Sequence, residues 1–277
     1  MLYIVLPVHN RRKTTEKFIL SLLLQTFKDF KLILIDDGSV DGTTDMVLLY
    51  LPNTIVIKGD GNLWWSGALQ KAYDWLINNA NNEDICLIIN DDVILEEDFL
   101  ELGVNILSKY NKVLLGSQCY DIHTGALLDK GVYVDWRRLK FEKVSPLYIN
   151  CLSTRGLFLR VGDLKNIGGF YPRFLPHYLS DYEYTIRASR KGYKLITVDK
   201  LKLYVNWRTT GFRKNIKGLN FKDFLEKYFS NRNLYNPFHW IIFIWLACPY
   251  PWKIYNILRI LWKMAKDIMS SIFTVKK

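Results

Sequence analysis

The chain of 277 residues is 49% hydrophobic and 15% aromatic, which is enough to bury one large domain, or one domain with an appendage. Its four cysteines, at positions 86, 119, 151 and 248, lack Cys-x-x-Cys spacing, which argues against a zinc site or a disulfide framework and favours reduced thiols. The net charge of +11 is uneven: residues 206–277 hold 13 Lys or Arg and 3 Asp or Glu, a net +10, whereas residues 1–205 hold 25 and 24, a net +1. This excess predicts that the last segment, rather than the whole protein, meets an anionic surface.

No stretch of the sequence reaches the roughly 18–20 uninterrupted apolar residues of a transmembrane helix. The first ten residues lack the basic start of a secretory signal and are typical of a strand. We therefore expect a cytoplasmic protein without a membrane span.

Short apolar runs alternate with amphipathic stretches in the first 110 residues. The apolar runs predict buried strands over 2–7, 31–35, 54–57 and 85–89. The amphipathic stretches predict helices over 14–25, 66–78 and 96–107, and a further helix that opens at residue 43. This order predicts an α/β fold with a mostly parallel central sheet flanked by helices.

Each predicted strand stops at a polar cluster. The clusters lie at residues 7–10, 36–37, 60–62 and 90–92. Because the carboxyl ends of parallel strands meet at one edge of the sheet, where such folds bind ligands, the four clusters predict a site.

The cluster Asn90-Asp91-Asp92 places two carboxylates side by side after a buried strand. Such a pair needs water, a hydrogen-bond donor or a cation, and oxygen ligands suit Mg²⁺ or Mn²⁺. The alternative is a solvated turn before the next helix. The sequence has neither a G-x-G-x-x-G after the first strand nor a P-loop, so a nucleotide would be held by carboxylates and a metal.

Five segments in this order resemble the inverting glycosyltransferases of family 2, which have the Rossmann-like GT-A fold. They are PVHNR (7–11), IDDGSVDGT (35–43), INDD (89–92), GGF (168–170) and SDYEYTIRASRKGY (180–193). The resemblance covers residues 2 to about 205 and implies a GT-A catalytic domain over 1–205, followed by a helical tail over 206–277. GNLWWSGA (61–68) resembles the rhamnosyltransferase-like branch, which acts on cell-surface polysaccharides.

The resemblance also implies roles for single residues. Pro7, His9 and Arg11 border the nucleotide, Asp36 or Asp37 hydrogen-bonds the base, and Asn62 and Asp91 belong to the donor site. Asp92 is the main metal ligand of a D-x-D-type motif whose first position is Asn90, and Asp181 is the catalytic base. Two departures stand out: Ser180 replaces the usual Glu before Asp181, and residues 204–209 lack the histidine that serves the family as a further metal ligand.

Four further positions are candidates for sugar and acceptor contacts. Trp64 and Trp65 stand among small residues at a helix start, and we expect one to face the site and the other to join the core. Arg155 resembles the acceptor-side segment of the family, and Glu183 either orients the acceptor or pairs with Arg187.

Asp181 is followed by a helical pattern, so the helix N-terminus favours its charged form. A carboxylate in this position is suited to deprotonate an acceptor hydroxyl, although it could serve only as an N-cap. One base without a second carboxylate as nucleophile predicts a single displacement with inversion.

The tail contains three predicted elements. They are a helix over 221–228, an apolar stretch over 240–248 that Pro249 and Pro251 make too short to span a membrane, and a helix over 252–273. On the last helix a narrow polar stripe runs along a broad apolar surface; its members are Asn256, Arg259, Lys263, Lys266, Asp267 and Ser270. This pattern favours a helix in a membrane interface; the alternative is packing on the catalytic domain or in a homodimer.

These features favour a glycosyltransferase that uses a nucleoside-diphosphate sugar, a divalent cation and a lipid-linked glycan acceptor, located peripherally on the inner face of the cell membrane. The first alternative is a nucleotidyltransferase acting on a sugar phosphate, for which HNRRKT is a poor basic signature. The second is a nucleic-acid-binding module that uses the basic tail. We expect no nucleic-acid partner, because the carboxylate-bearing strand ends would repel phosphate without metal.

Overall fold

The computed structural model describes residues 1–206 and 220–274. Its strands are β1 (Leu2–Val8), β2 (Phe30–Asp36), β3 (Ile55–Lys58), β4 (Ile85–Ile88), β5 (Val93–Leu95), β6 (Val113–Asp121), β7 (Leu127–Asp129), β8 (Tyr133–Asp135), β9 (Lys140–Glu142), β10 (Leu157–Arg160) and β11 (Lys194–Val205). Its α-helices are α1 (Arg12–Leu23), α2 (Thr43–Tyr50), α3 (Trp64–Asn79), α4 (Phe99–Ser108), α5 (Val161–Ile167), α6 (Ser180–Arg190), α7 (Phe221–Tyr228), α8 (Pro237–Ala247) and α9 (Tyr250–Thr274).

The central sheet has the strand order β3-β2-β1-β4-β10-β6-β11-β5, with β7 paired to β6. The four strands predicted from the sequence form its parallel half. The other half is mixed, because β10 runs antiparallel to both β4 and β6, while β11 is parallel to β6. After β6 the chain stays near the carboxyl end of this strand through β7 and the hairpin β8–β9. The next central strand, β10, therefore enters the sheet from that end and runs antiparallel to β6.

Helices cover both faces of the sheet, which explains the continuous apolar runs. Along β1, Leu2, Ile4 and Leu6 join one core cluster with α1, α2 and α4. Tyr3 and Val5 join the opposite cluster with α3, α5 and α6. Each strand therefore needs apolar side chains on both faces.

The direction of β10 brings a distant segment to the carboxyl edge of the parallel strands. Leu157 pairs with Ile88, and the Gly156 N–H donates to the Ile88 carbonyl at 3.0 Å. Arg155, just before β10, therefore lies at the edge where β4 leads into Asn90-Asp91-Asp92.

The tail helices pack on the rest of the molecule through a third apolar cluster. Phe243 and Ala247 of α8 meet Val134 of β8 and Ile186 of α6 in this cluster. The predicted boundary after residue 205 coincides with the end of β11, and a division into two domains stays a prediction. Residues 207–209 of the segment without histidine lie outside the described residues, and within the described ranges no helix combines the length and apolarity of a membrane span.

Candidate active site

A cavity of about 250 Å³ opens at the edge where β1, β2 and β4 end. Eight of the predicted site residues line it: Pro7, His9, Arg11, Asp37, Trp64, Trp65, Asn90 and Asp91. The lining also includes His177 and Arg232, two residues to which the sequence assigned no role in the site. The polar strand ends therefore meet at one pocket.

The loop after β1 places a cation beside the acidic strand end of β4. Arg11 lies with its Nε 3.2 Å from Asp91 Oδ2 and its Nη2 3.8 Å from Asp92 Oδ2. The Arg11 side chain keeps 44% of its surface exposed, so it can also reach an anionic ligand in the cavity. His9 lies on the same loop and contacts the Asp37 carbonyl through Nδ1.

Of the two carboxylates at the end of β2, Asp36 and Asp37, only Asp37 lines the cavity. Asp37 accepts hydrogen bonds from the backbone N–H groups of Gly61 at 2.8 Å and Leu63 at 2.9 Å, and so holds the loop that leads into α3. A Cβ at Gly59 would lie 2.5 Å from Asp37 Oδ1, which explains the glycine there. Asp36 is buried and accepts from the Ser39 N–H at 2.8 Å, which stabilises the turn after β2.

Both tryptophans at the start of α3 line the cavity, in different ways. Trp65 packs against the core and donates from Nε1 to Thr154 Oγ1 at 3.1 Å. Trp64 has a φ of +56° and contacts His177 and Arg232, at centroid distances of 5.8 and 5.7 Å. A strained backbone of this kind persists only where the surrounding structure holds it in place. Asn62 is exposed and does not line the cavity.

The two carboxylates after β4 have different partners. Asp91 is buried and accepts a hydrogen bond from Thr15 Oγ1 at 2.8 Å; burial raises its pKa to about 6 against the opposing charge of Arg11. Asp92 Oδ1 is also buried, but no hydrogen-bond partner for it exists among the described residues. A buried carboxylate oxygen without a donor is costly, which fits a cation ligand.

The described residues contain no group of three or more His, Cys, Asp or Glu side chains arranged to hold a metal ion. A cation at Asp92 would therefore need most of its ligands from phosphate and water, as Mg²⁺ commonly has. Asn90, which lines the cavity, is the other oxygen donor of the predicted motif.

Arg155 and Asp181 extend the polar cluster beyond the cavity. Burial opposes the charge of Arg155, but Asp92 and Asp129 are close enough that its pKa is raised. Burial and, to a smaller extent, the charge of Asp129 raise the pKa of Asp181 to about 6, while the Tyr182 N–H and Arg155 oppose the rise. Asp92 and Asp181 thus share the neighbour Arg155, although their segments are far apart in sequence.

Asp181 lies within the first turn of α6, not before the helix as predicted. Its Oδ1 accepts the Tyr182 N–H at 2.9 Å, and Leu179, just before the helix, has a φ of +68°. Glu183 pairs with Arg187 through two bonds of 2.9 and 3.0 Å, the second of its two predicted roles. Both Glu183 oxygens are used in this pair, which anchors α6.

Four residues at the site escaped the sequence analysis. Asp129 precedes a turn, with no motif around it, and accepts from Ser153 Oγ at 2.9 Å. Thr15 looked like an ordinary residue of α1. His177 and Arg232 carried weak signals, since His177 precedes Asp181 by four residues and Arg232 lies in an S-N-R-N segment (230–233) that resembles a terminal element of the family.

Curated relatives of the chain carry glycosyltransferase names. An uncharacterized glycosyltransferase of Rickettsia conorii, RC0461, is 25% identical over 136 residues, which are 48% of this chain and 20% of that protein. A PGL/p-HBAD biosynthesis glycosyltransferase of Mycobacterium bovis is 23% identical over 191 residues, which are 68% and 69% of the two chains. The chain thus spans only a fifth of the length of the Rickettsia relative.

Solved glycosyltransferase structures share the fold. Residues 1–349 of S. aureus TarS in complex with UDP-GlcNAc match with a TM-score of 0.60 at 16% identity, over 94% of this chain and 71% of that chain. A mannosyltransferase of Pyrobaculum calidifontis in complex with GDP-Man and Mn²⁺ matches with a TM-score of 0.57 at 15% identity, over 94% and 68%. The mixed sheet flanked by helices is therefore the GT-A fold.

The family model of glycosyl transferase family 2 matches residues 3–156, which contain β1, except its first residue, to β9 and nearly all of the cavity lining. This match covers more than half of the sequence, and the chain belongs to glycosyl transferase family 2.

Proposed function

We propose that the protein transfers a sugar from a nucleoside-diphosphate sugar to a hydroxyl group of a lipid-linked precursor of a cell-surface polysaccharide. The observation that carries this proposal is that the unpartnered oxygen of Asp92 and the raised pKa of Asp181 share the neighbour Arg155, next to a cavity of about 250 Å³ that Asn90 and Asp91 line. The named complexes of the two structural neighbours, with UDP-GlcNAc and with GDP-Man, support the donor class.

In this proposal the cavity holds the donor by charge and by stacking. Trp64 offers an aromatic face to a base or sugar, with the Arg232 guanidinium over its ring. Arg11 and Arg232 supply positive charge for the diphosphate. Asp37 holds the loop on which Trp64 is mounted.

Asp92 and Asn90 are the residues that would hold a divalent cation. When bound, the cation would offset the negative charge that develops on the leaving diphosphate. The buried Asp92 oxygen without a donor is the structural support for this assignment, and the Mn²⁺ in the mannosyltransferase complex is in line with it.

Asp181 acts as the general base. It takes the proton of the acceptor hydroxyl as that oxygen bonds to the anomeric carbon and the nucleoside diphosphate leaves with the electrons of the broken bond. Arg155 lies on the acceptor side, where its charge keeps part of the Asp181 population ionised. One displacement at the anomeric carbon gives inversion.

The raised pKa of Asp181 predicts how activity changes with pH. We expect kcat/KM to be flat near pH 8 and to fall about tenfold per unit below about pH 6, because only the ionised base accepts the proton. Rates between pH 4.5 and 8.5, with donor affinity measured over the same range, separate the base from donor binding. A kcat/KM that stays constant down to pH 5 would argue against Asp181 as the base.

A donor panel tests the proposal as a whole. We expect one class among UDP-, dTDP- and GDP-sugars to raise the thermal midpoint by several degrees, more with Mn²⁺ than with a chelator, because a ligand that binds only the folded state stabilises it. A matching sugar 1-phosphate should give no such shift. No shift with any nucleotide sugar, with or without Mn²⁺, would contradict the proposal.

The sugar itself is proposed from the segment 61–68. Its likeness to the rhamnosyltransferase-like branch leads us to propose dTDP-rhamnose as the donor within this panel. The segment places Trp64 and Gly61 in the cavity wall, where the sugar would lie. A shift that is largest with a UDP-hexose would contradict the assignment to the rhamnosyltransferase-like branch but would leave the proposed sugar transfer in place.

The tail helix α9 supports peripheral binding to an anionic membrane. Part of its predicted polar stripe turns toward the protein: Asn256 is fully buried and donates to the Trp136 carbonyl at 2.7 Å, and Arg259 donates to the Arg137 carbonyl at 3.3 Å. The apolar residues of α9 that are at least 36% exposed are Tyr250, Trp252, Ile254, Tyr255, Leu258, Leu261, Trp262, Met269 and Ile272. Lys263, Lys266 and Ser270 of the stripe are exposed as well. With the protein on one side of the helix, the other side is suited to the acyl region of a bilayer.

We expect the double substitution Leu258→Glu and Met269→Glu to lower partitioning onto anionic vesicles at least about tenfold, because two carboxylates would enter the apolar phase. Co-sedimentation with phosphatidylglycerol vesicles measures this. Leu24→Glu with Leu49→Glu is the matched control, since these leucines are 64% and 80% exposed and lie on the catalytic domain. Unchanged partitioning, together with a shift from dimer to monomer, would identify the face as a homodimer contact instead.

A further inference from the structure

A second cavity among the described residues lies outside the donor site. Its volume is about 550 Å³, within the range of roughly 300–1,000 Å³ that is common for ligand pockets. It is enclosed by the β8–β9 hairpin on one side and by α7, α8 and α9 on the other, with Phe141, Trp240 and Ile260 among its apolar walls. An apolar space of this size between packed elements is suited to bind a hydrocarbon chain.

Two cations lie in the wall of this cavity, Arg259 and Lys263. Lys263 is exposed, and its Nζ lies 5.6 Å from the ring centroid of Tyr235. Neither cation forms an ion pair with a carboxylate in the described part of the chain. The single acidic residue of α9, Asp267, accepts a hydrogen bond from the Tyr228 hydroxyl at 2.9 Å. An apolar cavity with uncompensated positive charge is complementary to an anionic amphiphile.

The cavity is joined to both functional regions of the protein. Phe141 in its wall packs on Tyr182 at a centroid distance of 4.9 Å, and Tyr182 follows Asp181. The segment from Arg232 to Tyr235 lines the donor cavity at one end and this cavity at the other. Trp262, also in the wall, is 69% exposed on the outer face of α9.

From this arrangement we infer that the cavity binds the hydrocarbon chain of a single-chain anionic amphiphile, with its phosphate at Lys263 and Arg259. The chain leaves the bilayer along the outer face of α9 and enters beside Trp262. That the amphiphile is the lipid anchor of the acceptor rests on the proposed transferase function; that the cavity binds such a lipid does not.

Calorimetric titration of the full chain with dodecyl phosphate, below its micelle concentration, tests the inference. We expect one saturable site per chain, and affinity that rises roughly tenfold for each pair of methylenes from hexyl to dodecyl phosphate, because each buried methylene adds apolar contact. Inorganic phosphate should bind at least about a hundredfold more weakly than dodecyl phosphate. Equal affinity for the two would mean a headgroup site only, and many sites per chain would mean adsorption to the apolar face; either result overturns the inference.

Matched variants locate the site. Ile260→Trp should fill the cavity and weaken dodecyl phosphate binding at least about tenfold, whereas Ile254→Trp, on the exposed face of the same helix, should leave it unchanged. Lys263→Gln should weaken dodecyl phosphate about fivefold but not dodecyl maltoside, with Lys266→Gln as the control. Equal effects of Ile260→Trp and Ile254→Trp, or none from either Ile260→Trp or Lys263→Gln, would contradict the inference.

The two proposals fail separately. Donor binding without amphiphile binding would contradict the proposed lipid site but would leave the proposed transferase function in place. Amphiphile binding at Ile260 and Lys263 without any nucleotide-sugar binding would support the lipid site and contradict the proposed transferase function.

Discussion

Replacing Asp181 by Asn should lower turnover by about 10²–10⁴-fold while the donor affinity stays within about twofold of the wild type. The carboxylate is half-buried in the first turn of α6 and outside the donor cavity, so its loss removes the proton acceptor without touching the nucleotide. Asn keeps the volume and can still accept the Tyr182 N–H. Initial rates and a nucleotide-sugar titration of the same preparation measure the two quantities.

The same substitution should raise the thermal midpoint at pH 7.5. The pKa of Asp181 is raised in the folded protein to about 6 from 3.8, so ionisation above pH 6 costs folding free energy that Asn does not incur. The gain should shrink as the pH falls below 6 and disappear only below about pH 3, where the carboxyl is protonated in both the folded and the unfolded state. Asp45→Asn is the control, since Asp45 is exposed in the first turn of α2. Near-normal turnover in Asp181→Asn would remove this residue as the base.

Replacing Asp92 by Asn should lower Mn²⁺-supported turnover by about 10²–10³-fold, the usual cost of removing a group that stabilises developing charge. Asp92 Oδ1 is buried without a donor, so its charge has no described partner at that oxygen, and a cation is the partner that the donor set suits. We also expect the variant to bind Mn²⁺ much more weakly in the presence of nucleotide, which electron paramagnetic resonance of free Mn²⁺ measures directly.

Asp98→Asn is the matched control, because Asp98 is exposed at the N-cap of α4 and makes no side-chain capping bond. Its Mn²⁺ binding and turnover should equal those of the wild type. If Asp92→Asn kept wild-type Mn²⁺ binding, Arg11, which already lies 3.8 Å from Asp92 Oδ2, would be the charge that faces the diphosphate. That result would contradict the role of Asp92 as a metal ligand, but it would not affect the proposed role of Asp181 as the general base.

The helix α9 shows what the periodicity of a sequence can predict and what it cannot. The pattern of residues 252–273 predicted a helix with one narrow polar stripe, and α9 spans Tyr250–Thr274. It did not predict that Asn256 and Arg259 of this stripe would bond to backbone carbonyls of the β8–β9 turn. A stripe has the same period whether it meets water or protein, so only the partners in the folded chain decide between them.

The residues around the cavity at the strand ends also divide into those that the sequence predicted and those that only the fold revealed. The parallel strands and the polar residues after them were predictable, because a buried strand needs apolar side chains on both faces and a polar cluster marks its end. The sequence also carried Asp181 and Arg155 as candidates through their family segments, but it held no sign of Asp129 or of Thr15 at the Asp91 carboxylate.

By itself, then, the sequence determined the parallel half of the sheet, the family and the polar residues at the ends of the strands, since these depend on local patterns and short motifs. Only the tertiary structure decided that β10 runs back to bring Arg155 beside Asp92, and that Asp129 and Asp181 lie close to the same arginine. The physical reason is that strand direction and helix docking are set by contacts between residues far apart in the sequence. Such contacts produce no periodic pattern in the chain.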